Sequence, residues 1–170
     1  LAEGYANQWN VDICQHKPHA DLHSLMGRID SDWAHSKDGF HHRINNKGLA
    51  AYLRALGKST VRSFPREALE LGWRHGKALL DAYIRGDGSP SREGWRTASR
   101  SKRLSEGIQE LAVRLGFHTA IYESGGMWHV HGTPRLHLRA GEMKIEHYTG
   151  AVVCLTAPPH NTMLVRVAGR

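Results

Sequence analysis

The stretch Leu79–Pro90, LLDAYIRGDGSP, constrains this chain more than any other. Apolar Leu79, Leu80, Tyr83 and Ile84 recur at helical spacing, and the pattern then runs into Gly86-Asp87-Gly88. A helix with one buried face that stops on a carboxylate between two glycines gives that carboxylate no core to serve. Ala82 and Gly86 lie one turn apart on one side, small enough for a second helix to approach closely, and Gly88 lets the backbone break away at the end. Taken alone, an Asp-Gly pair after a helix makes an ordinary turn.

What lifts it above a turn is repetition. In the first half, residues 11–15 (VDICQ) predict a strand and residues 21–33 a helix with Leu22, Leu25, Met26, Ile29 and Trp33 on one stripe. Residues 39–44 (GFHHRI) then predict another strand. In the second half, 94–101 predicts a strand, and 102–116 a helix with Leu104, Ile108, Leu111 and Leu115 on one face and Gly116 as its stop. A further strand is expected over 117–123. A further amphipathic helix is expected at 46–57. The quoted helix heads the second half, and at the matching place in the first half the chain opens on LAEGY, where Glu3-Gly4 stands for Asp87-Gly88. Two such helices packed side by side would bring both carboxylates to one point. Carboxylates held together repel unless a cation lies between them, and hard divalent ions such as Mg²⁺ are the usual solution.

At 170 residues the chain can bury a substantial core without disulfides. Cys14 and Cys154 are its two cysteines, too few and too far apart for a disulfide scaffold or a four-cysteine zinc site, which suits a reducing cytoplasm. No long apolar run or basic-then-apolar leader occurs, so no membrane partner is expected. The formal charge of +7 favours a polyanion, with nucleic acid the commonest one. Leu1 and Arg170 do not read as natural termini, so a fragment of a longer protein is expected.

Residues Leu80 to Gly88 resemble the second LAGLIDADG (dodecapeptide) motif of homing endonucleases, and LAEGY resembles the tail of the first motif in its Glu-bearing variant. GLAAYLRALG and GWRTASRSKRLSEGIQELAVRLGF agree in order and spacing. The resemblance implies an α+β, pseudo-twofold fold of two αββαββα-type halves, the first helix truncated, over residues 1–141. It implies a monomeric pseudo-dimer whose two sheets straddle double-stranded DNA at a long asymmetric site. Glu3 and Asp87 would be the catalytic acids and Mg²⁺ ligands for double-strand cleavage. The segment 142–170, through YTGAVVCLTAPPHNTMLVRVAGR, resembles the C-terminal β part of an intein splicing (Hint) domain. Cys154 and His160 fall where such domains assist the last cleavage steps, and the partners implied are host-protein exteins in cis. The upstream nucleophile and the terminal His-Asn are absent from this sequence, so splicing is not expected from it alone. The alternative is a cleavage-inactive DNA-binding passenger of a protein-splicing intein.

Strand alternation points the same way. Arg96 and Arg100 oppose Trp95, Thr97 and Ser99; Arg135 and Arg139 oppose Leu136 and Leu138; and Arg43 opposes Phe40 and Ile44. With Gln15, Lys17 and Lys102 these are the candidate DNA contacts, since Arg reads guanine and Gln adenine while Lys and Arg meet phosphates. The other explanation of such faces is plain solvation. The thirteen histidines invite a zinc reading through Cys14, His16, His19 and His23 or His129 and His131, but no group of four ligands closes at a familiar spacing.

Overall fold

The computed structural model describes residues 4–14, 22–29, 32–37, 40–134, 147 and 149–151. The first half contains β1 (Gly4–Ala6), β2 (Val11–Cys14), α1 (Leu22–Ile29), β3 (Trp33–His35), β4 (His41–Ile44) and α2 (Lys47–Ala55). A linking segment with short 3-10 turns at Ser59–Val61 and Arg66–Glu70 leads into the second half. There follow α3 (Trp73–Asp87), β5 (Gly88–Ser91), β6 (Gly94–Ser99), α4 (Lys102–Arg114), β7 (His118–Ser124) and β8 (Met127–Thr133).

Both sheets are antiparallel, with strand orders β1-β2-β4-β3 and β5-β6-β8-β7. The second order is the first with β5, β6, β7 and β8 standing for β1, β2, β3 and β4, which is the internal repeat expressed as topology. Register carries it to single residues. Gly4 opens β1 opposite Ile13 and Gly88 opens β5 opposite Thr97, so Gly4 and Gly88 are equivalent, as are Asp12 and Arg96 one position back.

Each sheet closes its own core. Val11, Ile44, Met26 of α1 and Ala50 of α2 form the first, with Ile13, Trp33, Leu49 and Leu53 against them. Leu80 and Tyr83 of α3, Trp95, Val130, and Leu104, Ile108 and Leu111 of α4 form the second, together with Phe64 and Ala68 from the linking segment. α4 is bounded by a serine cap at one end and the expected glycine stop at the other. The Ser101 side chain accepts from the Leu104 amide at 3.2 Å. Gly116 takes φ +87°, with its amide donating to Val113 and that of Phe117 to Ala112, the double bond of a glycine C-terminal motif. α2 is likewise capped by Asn46, whose side chain accepts from the Leu49 amide at 2.9 Å.

Several sequence expectations need correction. The helix expected over 21–33 is α1, Leu22–Ile29, and Trp33 instead begins β3 and packs on the first core from the sheet. Of the predicted stripe Met26 is fully buried, whereas Leu25 and Ile29 are exposed among the described residues. Trp33 satisfies a helical period or a strand equally well, so periodicity could not place it. The strand expected over 94–101 ends at Ser99, because the Ser99 hydroxyl accepts the Ser101 amide at 3.1 Å and turns the chain into the cap of α4. The helices expected over 46–57 and 102–116 end at Ala55 and Arg114, and the strands expected over 11–15, 39–44 and 117–123 are Val11–Cys14, His41–Ile44 and His118–Ser124. The expected strand around Arg135 and Arg139 lies outside the described residues, as does residue 15.

Gly107 shows how tightly the linking segment is fitted. A β carbon there would interpenetrate Cβ and Cγ of Phe64, and Cβ moves only with the Phe64 backbone. Gly to Ala inside a helix ordinarily adds about 1 kcal/mol of stability; overpacking a filled core costs about 1–3 kcal/mol. Gly107→Ala should therefore lower unfolding free energy by up to about 2 kcal/mol in a urea titration, and a stabilised variant would contradict this packing.

Candidate functional site

α3 carries the helix tip. Its Leu80 and Tyr83 anchor one side in the second core, which turns Ala82 and Gly86 to the other. Gly88 follows Asp87 directly into β5; a β carbon at Gly88 would strike the carbonyl and Cα of Ile84, so only glycine lets the chain pass from helix to strand without a loop. Asp87 is thereby fixed at the junction, exposed, at the last helical residue.

Beside that tip lies a cavity of about 250 Å³. One wall is Ala82 and Gly86 of α3; another is Gly4, Tyr5 and Ala6 of β1 with Val11 and Ile13; a third is Leu53, Arg54, Leu56, Gly57, Lys58 and Arg62. Gly4 and Gly86 thus share one cavity although far apart in sequence. The Lys58 ammonium sits over the Tyr5 ring at 5.0 Å. Arg54, Lys58 and Arg62 escaped the sequence reading. The basic end of the helix in LRALGK was the one signal for them, and nothing in it tells that this end faces the α3 tip.

Asp87 also acts on Tyr83, one turn earlier. Burial raises the Tyr83 phenol well above its ordinary value, the Asp87 charge raises it further, and the Arg62 charge works in the opposite sense.

The strand faces separate as alternation predicts. On β6, Trp95 and Thr97 are buried while Arg96 is exposed; on β4, His42 and Ile44 are buried while His41 and Arg43 are exposed. Arg43 Nε donates to Asp12 Oδ1 across β2–β4 at 2.7 Å, which holds the Arg43 pKa above its usual value, chiefly through that bond and then through the charge. Arg96 Nε donates to Ser89 Oγ at 3.0 Å, and His131 Nε2 lies 3.0 Å from Ser91 Oγ. The Tyr122 and His129 rings stack beside them, 5.2 Å between centroids. The outward side of β5–β8 therefore carries Arg96, His129, His131 and His118 with no carboxylate among its described strand positions, whereas the outward side of β1–β4 sets Asp12 against Arg43. Two expected contacts do not share the Arg96 face. Arg100 lies in the turn after β6, and Lys102 is the first residue of α4, its ammonium 4.8 Å from the Trp128 ring centre. Glu3, Gln15, Lys17, Arg135, Arg139, Cys154 and His160 lie outside the described residues.

A hard divalent ion takes oxygen donors, and Mg²⁺ in particular is held by one or two carboxylates with waters and substrate phosphates completing the shell. An exposed Asp87 at an open helix tip fits that donor set. Among the described residues no group of three or more His, Cys, Asp or Glu gathers into a closed protein cage.

A family model of the LAGLIDADG-like domain matches residues 76–146. No curated protein sequence matches the chain. Among solved structures, I-DmoI in complex with DNA and Mn is similar at TM-score 0.58 and 13% identity over 78% of this chain and 83% of that one. I-DmoI with DNA and Ca gives 0.55 and 15% over 78% and 77%. A mesophilic variant of the homing endonuclease I-DmoI gives 0.53 and 14% over 76% and 80%. The fold is that of the LAGLIDADG homing endonucleases: α+β, with two four-stranded antiparallel sheets.

The Tyr83 environment makes a testable statement about Asp87. A phenol whose folded-state pKa exceeds the unfolded value of about 10 supports the fold fully below that pH and loses its contribution as pH climbs toward the folded value. Stability should fall above about pH 10. Tyr83→Phe should flatten the decline and Asp87→Asn should lessen it; identical alkaline profiles in all three proteins would contradict the arrangement.

Proposed function

We propose that this chain is a site-specific, divalent-metal-dependent endonuclease acting on double-stranded DNA, with Glu3 and Asp87 as the paired metal-binding acids. The observation that carries the reading is that Gly4 and Gly88, the residues immediately after those acids, open equivalent strands, while Gly4 and Gly86 border one cavity. When bound, Mg²⁺ would lower the pKa of the attacking water and offset charge on the leaving oxygen. The chain's own part is to hold the Asp87 carboxylate at the tip of α3, and to draw the phosphodiester there with the positive charge of Arg54, Lys58 and Arg62. The outward side of the strands supplies the DNA surface. Arg43 and Arg96 meet base edges, while Gln15, Lys17, Arg100, Lys102, Arg135 and Arg139 serve as flanking contacts.

The neighbours of this fold that carry DNA together with Mn or Ca support a duplex partner and a divalent ion. The wider setting we propose is an intein-borne endonuclease domain over 1–141, monomeric and cytoplasmic, working in cis with host exteins. Residues 142–170, with Cys154 and His160, belong in this reading to a splicing domain.

A plasmid library with randomised inserts tests the activity. In Mg²⁺ a subset of plasmids should become linear, EDTA should abolish the cleavage, and Asp87→Asn should slow it by about a hundredfold or more while leaving binding intact, because a metal's charge stabilisation amounts to several kcal/mol. Binding without cutting by the unaltered chain would favour the inactive DNA-binding passenger. Cutting unaffected by Asp87→Asn would overturn the assignment of the acid.

A further inference from the structure

Asp12 is out of place on a surface meant for phosphates. It stands on β2 directly opposite Arg43 on β4, on the outward side, where a carboxylate repels the DNA backbone. The side chain is 28% exposed and that of Arg43 is 54% exposed, so neither is a buried pair held for the core. Cross-strand ion pairs of this kind add only a few tenths of a kcal/mol to about 1 kcal/mol of sheet stability, too little to explain placing a negative charge there.

The bond itself offers another reason. Asp12 Oδ1 accepts from Nε of Arg43 at 2.7 Å, and this is the one hydrogen bond the Arg43 side chain makes among the described residues. Nη1 and Nη2 are left as a two-donor edge, and Ala34, the other cross-strand neighbour of Arg43, is too small to screen it. Two parallel N–H groups on a guanidinium held from behind match the O6 and N7 acceptors of guanine in the major groove. A mobile arginine spends the same charge on any phosphate within reach; a fixed one reads a base. The repeat supplies a weaker counterpart: Arg96, at the position equivalent to Asp12, is likewise held through Nε, by the neutral Ser89 hydroxyl.

We infer that Asp12 is a specificity-determining residue that orients Arg43 as a reader of one guanine in the target duplex. The inference rests on the DNA-binding reading above and goes beyond it by naming the base and the device. Asp12 lowers affinity for DNA in general while raising discrimination at one position, so its removal has two effects of opposite sign.

The test selects bound sequences from a randomised duplex pool with the full chain in Ca²⁺, then measures competition against single-base changes at fixed salt. The unaltered protein should select a guanine whose replacement weakens binding by about tenfold, the worth of a good bidentate pair. Arg43→Lys, which keeps the charge, should lose that preference. Asp12→Ala should lose most of it yet bind unrelated duplex more tightly, and Asp12→Asn, which keeps an acceptor for Nε, should regain much of it. If Asp12→Ala and Arg43→Lys select the same sequences as the parent with unchanged discrimination, or if Asp12→Ala weakens specific and unrelated DNA alike, the inference is overturned while DNA binding stands. If the unaltered chain binds no duplex even at low salt, both fall together.

Discussion

The passage from Asp87 to Gly88 is the constraint on which the rest depends. A helix normally leaves through a loop, and a loop would let its last side chain wander. Here the carbonyl of Ile84 occupies the space a β carbon would need at residue 88, so the chain turns straight into a strand whose register is locked against β6. One acidic side chain is thereby tied to a rigid sheet and a rigid core at once. A group that must meet a metal or a phosphate within a fraction of an ångström requires that kind of support.

The same junction explains why the cavity lies where it does. Leu80 and Tyr83 commit one face of α3 to the second core, and the opposite face offers only Ala82 and Gly86. Small residues leave room, and into that room the first half presents β1 from across the molecule, with basic groups from the end of α2 and the segment beyond it. Positive charge thus gathers beside the tip of α3, where it favours the approach of an anion.

Much of this was legible in the sequence, for identifiable reasons. α3 and α4 are long enough for the 3.6-residue period to show, and their C-terminal ends carry their own signals in Gly88 and Gly116, whereas the Ser101 cap was hidden at the end of the strand expected over 94–101. The alternation that sets Arg43 and Arg96 outward also survives in the structure. What failed was short. β1 and β3 have three residues each, too few for any period to emerge, and Trp33 was assigned to the wrong element for that reason. The Asp12–Arg43 bond was beyond reach altogether, because it joins residues on two strands whose pairing register is set by the whole sheet. The convergence of Arg54, Lys58 and Arg62 on the α3 tip is tertiary in the same sense.

The central proposal is that Gly4 and Gly88, the residues following the two proposed acids, lie beside one ion-binding centre, and paramagnetic broadening of backbone amide signals addresses it without any need for a cleavable target. On titrating Mn²⁺ into the ¹⁵N-labelled chain, the amides of Gly4 and Gly88 should lose intensity together, at the same low concentrations and ahead of the rest. Broadening at Gly88 that leaves Gly4 untouched, or broadening scattered over the carboxylates of the whole surface, would contradict the account.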